Sequence, residues 1–174
     1  MNDMVLLIEP LIPAMRRYAC AFLRDRSAAD DLVQDCLERA IGRWHQRRAD
    51  GNPRTWIFTI LHNLAVNHVN QARRRGKFVP LEDADEAALS QPASQDGALR
   101  HRDLLKALAD LPEDQRSTVL LVSVEGLSYA EAASVLDIPI GTIMSRLARG
   151  RERLRRAVEG EADAARAPNI RRIK

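Results

Sequence analysis

Ser128-Tyr-Ala-Glu131-Ala-Ala-Ser-Val-Leu-Asp137-Ile-Pro139-Ile-Gly-Thr142-Ile-Met-Ser-Arg146-Leu-Ala-Arg149-Gly-Arg151 is the stretch on which the reading of this chain turns. Ser128 with Glu131 three residues on is a capping box: the hydroxyl accepts from the backbone of a new helix, and the carboxylate reaches back to the cap. The helix it starts is short, Tyr129 to Leu136. Asp137-Ile138-Pro139 interrupts it, and Pro139 suits the first position of the next helix, where its missing N–H is no loss. That helix spans about Ile140 to Val158. On a wheel of about 100° per residue, Ile143, Leu147, Leu154 and Val158 fall on one side. Ser145, Arg149 and Arg156 fall opposite, with Arg146, Arg153 and Arg155 on the flanks. Residues 142–156 hold six Arg against Glu152 alone, a local charge of +5. A short helix, a tight turn and a long basic helix make a helix-turn-helix, and the second helix fits a major groove. A basic helix face by itself is also ordinary solvated surface; the capped helix and the turn before it decide for DNA.

Upstream, helical periodicity continues. Leu99, Leu104, Leu105, Leu108 and Leu111 form one stripe. Pro112, with Glu113 and Asp114 in the first turn, starts another helix that runs to Gly126. Residues 77–97 contain Pro80, Pro92, Gly97 and five acids without sustained period, and read as a linker with a short helix near Ala84 to Leu89. Before it lies a long helix, Arg54 to Arg75, entered through the turn Ala49-Asp50-Gly51-Asn52-Pro53. Its buried stripe is Ile57, Ile60, Leu61, Leu64, Ala65 and His68, and Trp56 is expected in the core. A preceding helix, Ala28 to Gln46 with Ser27 as N-cap, buries Leu32, Val33, Cys36, Leu37, Ala40, Ile41 and Trp44. It presents Asp31, Gln34, Asp35 and Glu38 on the other face. The first helix spans Ile8 to Leu23. The fold is therefore all-α: two small helical domains, 1–76 and 98–160, joined by a flexible linker, 77–97, with a frayed tail at 161–174.

Charge follows the same division. Residues 1–76 carry 12 basic and 8 acidic side chains (+4), residues 77–97 carry 1 and 5 (−4), and residues 98–174 carry 14 and 11 (+3). Two basic modules flank an acidic segment. Several classes are excluded. Cys20 and Cys36 cannot build a disulfide framework and lack metal-site spacing. The apolar stretch Met4 to Met15 is broken by Glu9, Pro10 and Pro13, too short to span a membrane and without a signal-peptide pattern. No metal or other cofactor is expected. Asp30, Asp31 and Asp35 share one helix with no ligand from elsewhere, and the four His make no metal pair. No Walker loop or nucleophile elbow suggests an enzyme. With neither a disulfide framework nor a membrane or signal segment, a cytoplasmic location is expected.

Leu111-Pro-Glu-Asp-Gln-Arg116, Gly126-Leu-Ser-Tyr-Ala-Glu131-Ala-Ala and Pro139-Ile-Gly-Thr-Ile-Met-Ser-Arg146 resemble region 4 of the sigma-70 family, closest to its extracytoplasmic-function group. Ala29-Asp-Asp-Leu-Val-Gln-Asp35 resembles region 2.2. Trp56-Ile-Phe-Thr-Ile-Leu-His-Asn63-Leu-Ala-Val-Asn67 resembles regions 2.3 and 2.4. The resemblance implies a promoter-recognition subunit whose partners are core RNA polymerase, promoter DNA and an anti-sigma factor. It implies that Asp31, Gln34, Asp35 and Glu38 dock on the β′ clamp helices, and that the second module meets the β flap. Asp50, Gly51 and Asn52, with Asn63 and Asn67, would hold a flipped base of the melted minus-ten element, since carboxamides both donate and accept. Arg54, Arg73, Arg74 and Arg75 would contact its backbone. Thr142, Met144, Ser145, Ala148 and Arg149 would read the minus-thirty-five duplex, with Arg146, Arg151 and Arg153 beside them. The chain departs from the family at Asn67, often Asp, at Met144, often basic, and at Val122, sometimes Arg. Those changes put the promoter preference in doubt. The rival reading is a helix-turn-helix regulator that works without polymerase.

Overall fold

The computed structural model describes residues 2–47, 51–76 and 104–166, with side chains from 4 to 159 within them. Among these residues the chain is helical, with no strand. Helix α1 (Asn2–Ile8) passes through a tight 3-10 turn at Glu9–Leu11 into α2 (Ile12–Leu23). The sequence predicted one helix from Ile8; Pro10 and Pro13 split it, because each removes a backbone donor. Arg24 adopts a left-handed conformation (φ 63°) that closes α2. The chain is extended for one residue, Asp25, whose carboxylate caps α3 (Arg26–Arg43) by accepting from the Ala28 amide at 2.9 Å. Asp25 therefore displaces Ser27 as the cap, since the αL residue ends α2 with no room for a longer break.

Helix α3 unwinds through a 3-10 turn, Trp44–Gln46. Asn52 caps α4 (Pro53–Arg74), its side-chain oxygen accepting from the Arg54 amide at 2.9 Å with Pro53 in the first turn. Helices α2, α3 and α4 share one core of Met15, Tyr18, Phe22, Cys36, Ile57, Phe58 and Leu61, each at most 1% exposed. Phe58 lies wholly within this core. Tyr18 packs edge-on against it with ring centroids 5.8 Å apart. Trp56 is half-buried against Trp44, with centroids also 5.8 Å apart. Two expected core positions are open: Ile41 is 57% exposed, and His68 is exposed one turn beyond the buried part of α4.

The C-terminal half opens with α5 (104–110). Pro112 precedes α6 (Glu113–Val119), which widens into a π turn at Leu120–Val124. Gly126, at φ 68°, then turns the chain in a conformation that L side chains resist. The capping box forms as written. The Glu131 amide donates to the Ser128 hydroxyl at 3.2 Å and the Ser128 amide donates to Glu131 at 2.8 Å, starting α7 (Tyr129–Leu136). Asp137 supplies the left-handed corner (φ 52°), and α8 (Ile140–Arg166) follows Pro139. Helix α8 runs past Val158 into the stretch expected to fray. The linker 77–97 and the residues after Arg166 lie outside the described residues.

Helices α6 and α8 approach closely at Gly150. A Cβ there would stand 2.7 Å from Cγ2 of buried, β-branched Val119. Gly150→Ala is therefore expected to cost about 1–3 kcal/mol, read as a lower melting midpoint, because Val119 has no free rotamer to yield into. An unchanged midpoint would show that the two helices separate freely.

Candidate nucleic-acid interface

Ile143 and Leu147 are buried at 0% and 2% exposure, which turns Met144, Ser145, Ala148 and Arg149 outward together. Thr142 sits half-buried at the entrance of the face. The Ser145 hydroxyl donates to the Thr142 carbonyl at 3.0 Å. Arg149 lies along its own helix, donating to the Ser145 carbonyl at 3.1 Å and to its hydroxyl at 3.3 Å. Such exposed contacts exchange readily for a guanine edge, which offers two acceptors to the same fork. Arg151 donates to the Ser123 hydroxyl at 3.0 Å, and Arg153 is exposed. Arg155 and Arg156 both bind Glu152, at 2.9 and 2.7 Å, and their hydrogen bonds pull its carboxyl down to about 2. Arg146 is half-buried. It pairs with Asp114 at 3.2 Å and braces α8 against α6, because its flank position on the wheel faces a neighbouring helix rather than solvent.

The residues expected at the minus-ten element separate into two groups. Asp50 lies outside the described residues. Gly51 offers its carbonyl to the Arg47 guanidinium at 2.8 Å. Asn52, besides capping α4, donates its amide to Glu131 at 2.6 Å. Arg54 donates to the backbone carbonyl of Glu125 and lies 5.9 Å from the Phe58 ring. Arg73 pairs with Glu113 at 2.9 Å, while Arg74 and Arg75 are exposed. Asn52, Arg54 and Arg73 are thus occupied by the C-terminal helices. Asn63 and Asn67 are exposed one turn apart on α4 and face a groove towards α3, lined also by Arg39, Arg43, Thr59, Ile60 and Leu64.

Helix α7 packs on α4, and the apolar cores of the two halves meet in one cluster. Charged groups that sequence reasoning did not single out fasten this junction. The Glu125 side chain is fully buried and receives a two-pronged contact from Arg17, at 2.8 and 3.3 Å, across 108 positions. Burial pushes its carboxyl above the usual range despite that bond. The Arg116 guanidinium donates to the carbonyls of Phe22 (3.0 Å), Ala109 (2.8 Å) and Leu111 (3.0 Å), tying α6 to α2. His62 and the wholly buried Tyr18 share a 2.8 Å hydrogen bond, and burial holds the imidazole down at about 4. On the far side, Asp31, Gln34, Asp35 and Glu38 are all exposed on α3, with Gln34 donating to Glu38 at 3.1 Å.

The fold and its two faces define a nucleic-acid-binding protein with a helix-turn-helix half and a second helical half. The Sigma2 domain of PhyR matches residues 8–62, and Sigma-70, region 4 matches residues 101–154. The ECF RNA polymerase sigma factor EcfG of Rhodopseudomonas palustris is 36% identical over 82% of this chain and 78% of its own length. SigC of Mycobacterium tuberculosis is also 36% identical, over 77% of this chain and 72% of its own length. The sigma factor RpoE of Bartonella quintana, solved with the anti-sigma factor NepR, superposes with a TM-score of 0.76 at 30% identity, over 91% of this chain and 98% of that one. CnrH, in complex with the cytosolic domain of CnrY, shares the fold at a TM-score of 0.66 and 21% identity, over 94% of this chain and 89% of that one. The chain belongs to the extracytoplasmic-function group of the sigma-70 family of RNA polymerase sigma factors. It is a transcription initiation factor that confers promoter recognition on core RNA polymerase. Among the described residues, no helix is long and apolar enough to cross a membrane.

Proposed function

We propose the following division of labour. Residues 1–76 hold the melted minus-ten strand through Asp50, Gly51, Asn52, Asn63 and Asn67, with Arg54, Arg73, Arg74 and Arg75 on its backbone. Residues 98–160 read the minus-thirty-five duplex through Thr142, Met144, Ser145, Ala148 and Arg149, with Arg151 and Arg153 on phosphates. Arg146 joins them only if its pair with Asp114 opens. Asp31, Gln34, Asp35 and Glu38 meet a basic surface of the β′ clamp helices. The linker 77–97 spans the distance between the two promoter elements. The protein works in the cytoplasm, has no catalysis of its own, and is held inactive by an anti-sigma factor like the one bound to the Bartonella relative.

The observation that carries this reading is the outward face of α8, where Ser145 and Arg149 lie opposite buried Ile143 and Leu147. The arrangement also sets a condition. Asn52, Arg54 and Arg73 are bound by Glu131, Glu125 and Glu113, so taking up the minus-ten strand requires those contacts to part. Run-off transcription with purified core polymerase on a cognate promoter tests the proposal. Tight promoter binding by the chain alone, with no association with core, would favour a free-standing regulator instead. Arg149→Ala is expected to weaken minus-thirty-five binding by about 1–3 kcal/mol with strong dependence on sequence. Arg74→Ala is expected to weaken DNA binding uniformly and flatten its salt dependence. Equal, sequence-blind losses from both variants would remove the assignment of base readout to Arg149.

A further inference from the structure

Helix α8 carries six arginines between residues 142 and 156, and they are not equally free. Arg146 is spent on Asp114. Arg149 and Arg151 bond neutral oxygens, those of Ser145 and Ser123, and Arg153 is exposed. Arg155 and Arg156 are held differently. Arg155 grips both carboxylate oxygens of Glu152, with Nε 3.0 Å from Oε2 and Nη2 2.9 Å from Oε1, and its Nη1 lies 2.6 Å from Glu159. Arg156 donates from Nε to Oε1 of Glu152 at 2.7 Å. Two acids and two arginines thus close a cluster of zero net charge. On the helical wheel Glu152 falls about 20° to one side of Ser145 and Arg156 about 20° to the other, about 10 and 16 Å further along the axis. The carboxylate therefore stands in the middle of the outward face and not on its flank.

We infer that Glu152 withholds Arg155 and Arg156 from the duplex, so that the phosphate contacts of α8 end at Arg153. A single exposed ion pair would give way to a phosphate, being worth little in water. This cluster is not a single pair: one fork is bidentate, and both arginines share one carboxylate. The competing anion is also on the same helix, three and four residues away, so holding it orders no further chain. Releasing both arginines would in addition leave the Glu152 carboxylate facing a polyanion. The consequence is functional. Phosphate contacts tighten binding to any sequence and carry no sequence information. With two fewer of them, a larger share of the grip of α8 comes from the face around Ser145 and Arg149. Glu152 is thus a positioning residue that limits sequence-independent affinity. The inference rests on the reading of α8 as the duplex-binding helix and adds to it the point at which the phosphate contacts stop.

The test uses the full chain, whose α8 face is open, and a fluorescein-labelled duplex of mixed sequence. Glu152→Gln is expected to bind this duplex about tenfold more tightly at about 0.15 M salt and to steepen the slope of log affinity against log salt by about 1–2, since each duplex phosphate contact contributes about 0.9. Glutamine keeps the helix propensity of glutamate and arginine, so α8 itself is preserved. Glu159→Gln removes the same charge but leaves both arginines on Glu152, and should move the slope by less than half as much. The quadruple variant Glu152→Gln, Arg155→Gln, Arg156→Gln, Glu159→Gln has the net charge of the parent and should keep its slope and affinity. An unchanged slope in Glu152→Gln overturns the inference. So does an equal effect from Glu159→Gln, which would make net charge the cause. A shallower slope in the quadruple variant also overturns it, because the arginines would then be gripping phosphates in the parent. Arg149→Ala on a cognate promoter fragment separates the two levels. If its affinity is that of the parent, the reading of α8 fails and the inference falls with it. If Arg149→Ala loses affinity and the glutamine variants behave otherwise than expected, only the withholding by Glu152 is wrong.

Discussion

Arg17→Met is expected to weaken the packed arrangement of the two halves by about 3 kcal/mol at pH 7, and by less than about 1 kcal/mol near pH 5. The variant keeps the aliphatic stem and removes the guanidinium that grips the fully buried Glu125 side chain at 2.8 Å. Stripping a partner from a buried ion pair commonly costs about 3–5 kcal/mol, because the remaining charge is stranded out of water. Here the loss has a ceiling. Glu125 escapes by taking up a proton, and for a carboxyl of ordinary value 4.5 that costs about 3 kcal/mol at pH 7. The escape costs under about 1 kcal/mol near pH 5, which gives the variant its characteristic pH profile.

The direction follows from burial. Desolvation holds the Glu125 carboxyl above its ordinary range even with Arg17 in place and Arg54 nearby. Between the unfolded and folded values the folded protein binds more protons, so its stability falls as pH rises through that window. Losing Arg17 raises the folded value further and widens the window upward. Urea denaturation from pH 5 to 8, with small-angle scattering to follow compaction, checks the result. A penalty of the same size at every pH would show that Arg17 acts through packing and not through the carboxylate. Arg17→Lys, which keeps charge but not the fork, should fall between parent and methionine variant.

The second large effect is acid lability centred on His62. Its imidazole titrates at about 4, below the ordinary 6.5, because burial disfavours the cation. The unfolded chain therefore binds a proton at a pH where the folded one does not. Stability contributed by the neutral ring is present above about 6.5 and is lost as pH falls towards 4, by about 3 kcal/mol in total. His62→Phe should remove that limb from the stability profile. The same change leaves the Tyr18 hydroxyl, 0% exposed, without its 2.8 Å partner, and should cost about 1–3 kcal/mol at neutral pH. The double variant Tyr18→Phe, His62→Phe should recover much of that cost, since removing both partners strands neither. Chemical denaturation of the three variants and the parent between pH 4 and 7 decides the matter. An acid limb that persists without His62 would assign it to the carboxylates.

Much of the helical framework is legible because its signals are local. Ser128 and Glu131 meet within a single turn, so their spacing is enough to start α7 at Tyr129. The wheel of α8 sorts Ile143 and Leu147 from Ser145 and Arg149 because a helix repeats regardless of its surroundings. Local signals run out where a neighbour decides. Ile41 continues the apolar stripe of α3, yet no described helix covers it. Arg146 sits on the basic helix, yet Asp114 of α6 claims it. Asn52 reads as a turn residue and is one, but its amide is taken by Glu131, 79 positions away.

The alternation of charge along the chain, the capping box, the helical periods and the basic outer face of α8 were settled by sequence alone, since each depends on residues within a few turns of one another. Sequence did not indicate that Glu125 would be buried beneath Arg17, that Arg116 would hold three carbonyls, or that His62 would lie beside Tyr18 away from water. Those facts depend on which surfaces meet after the helices form. Burial then sets the cost of each polar group, and a pattern read along one helix carries no information about the helix that will lie across it.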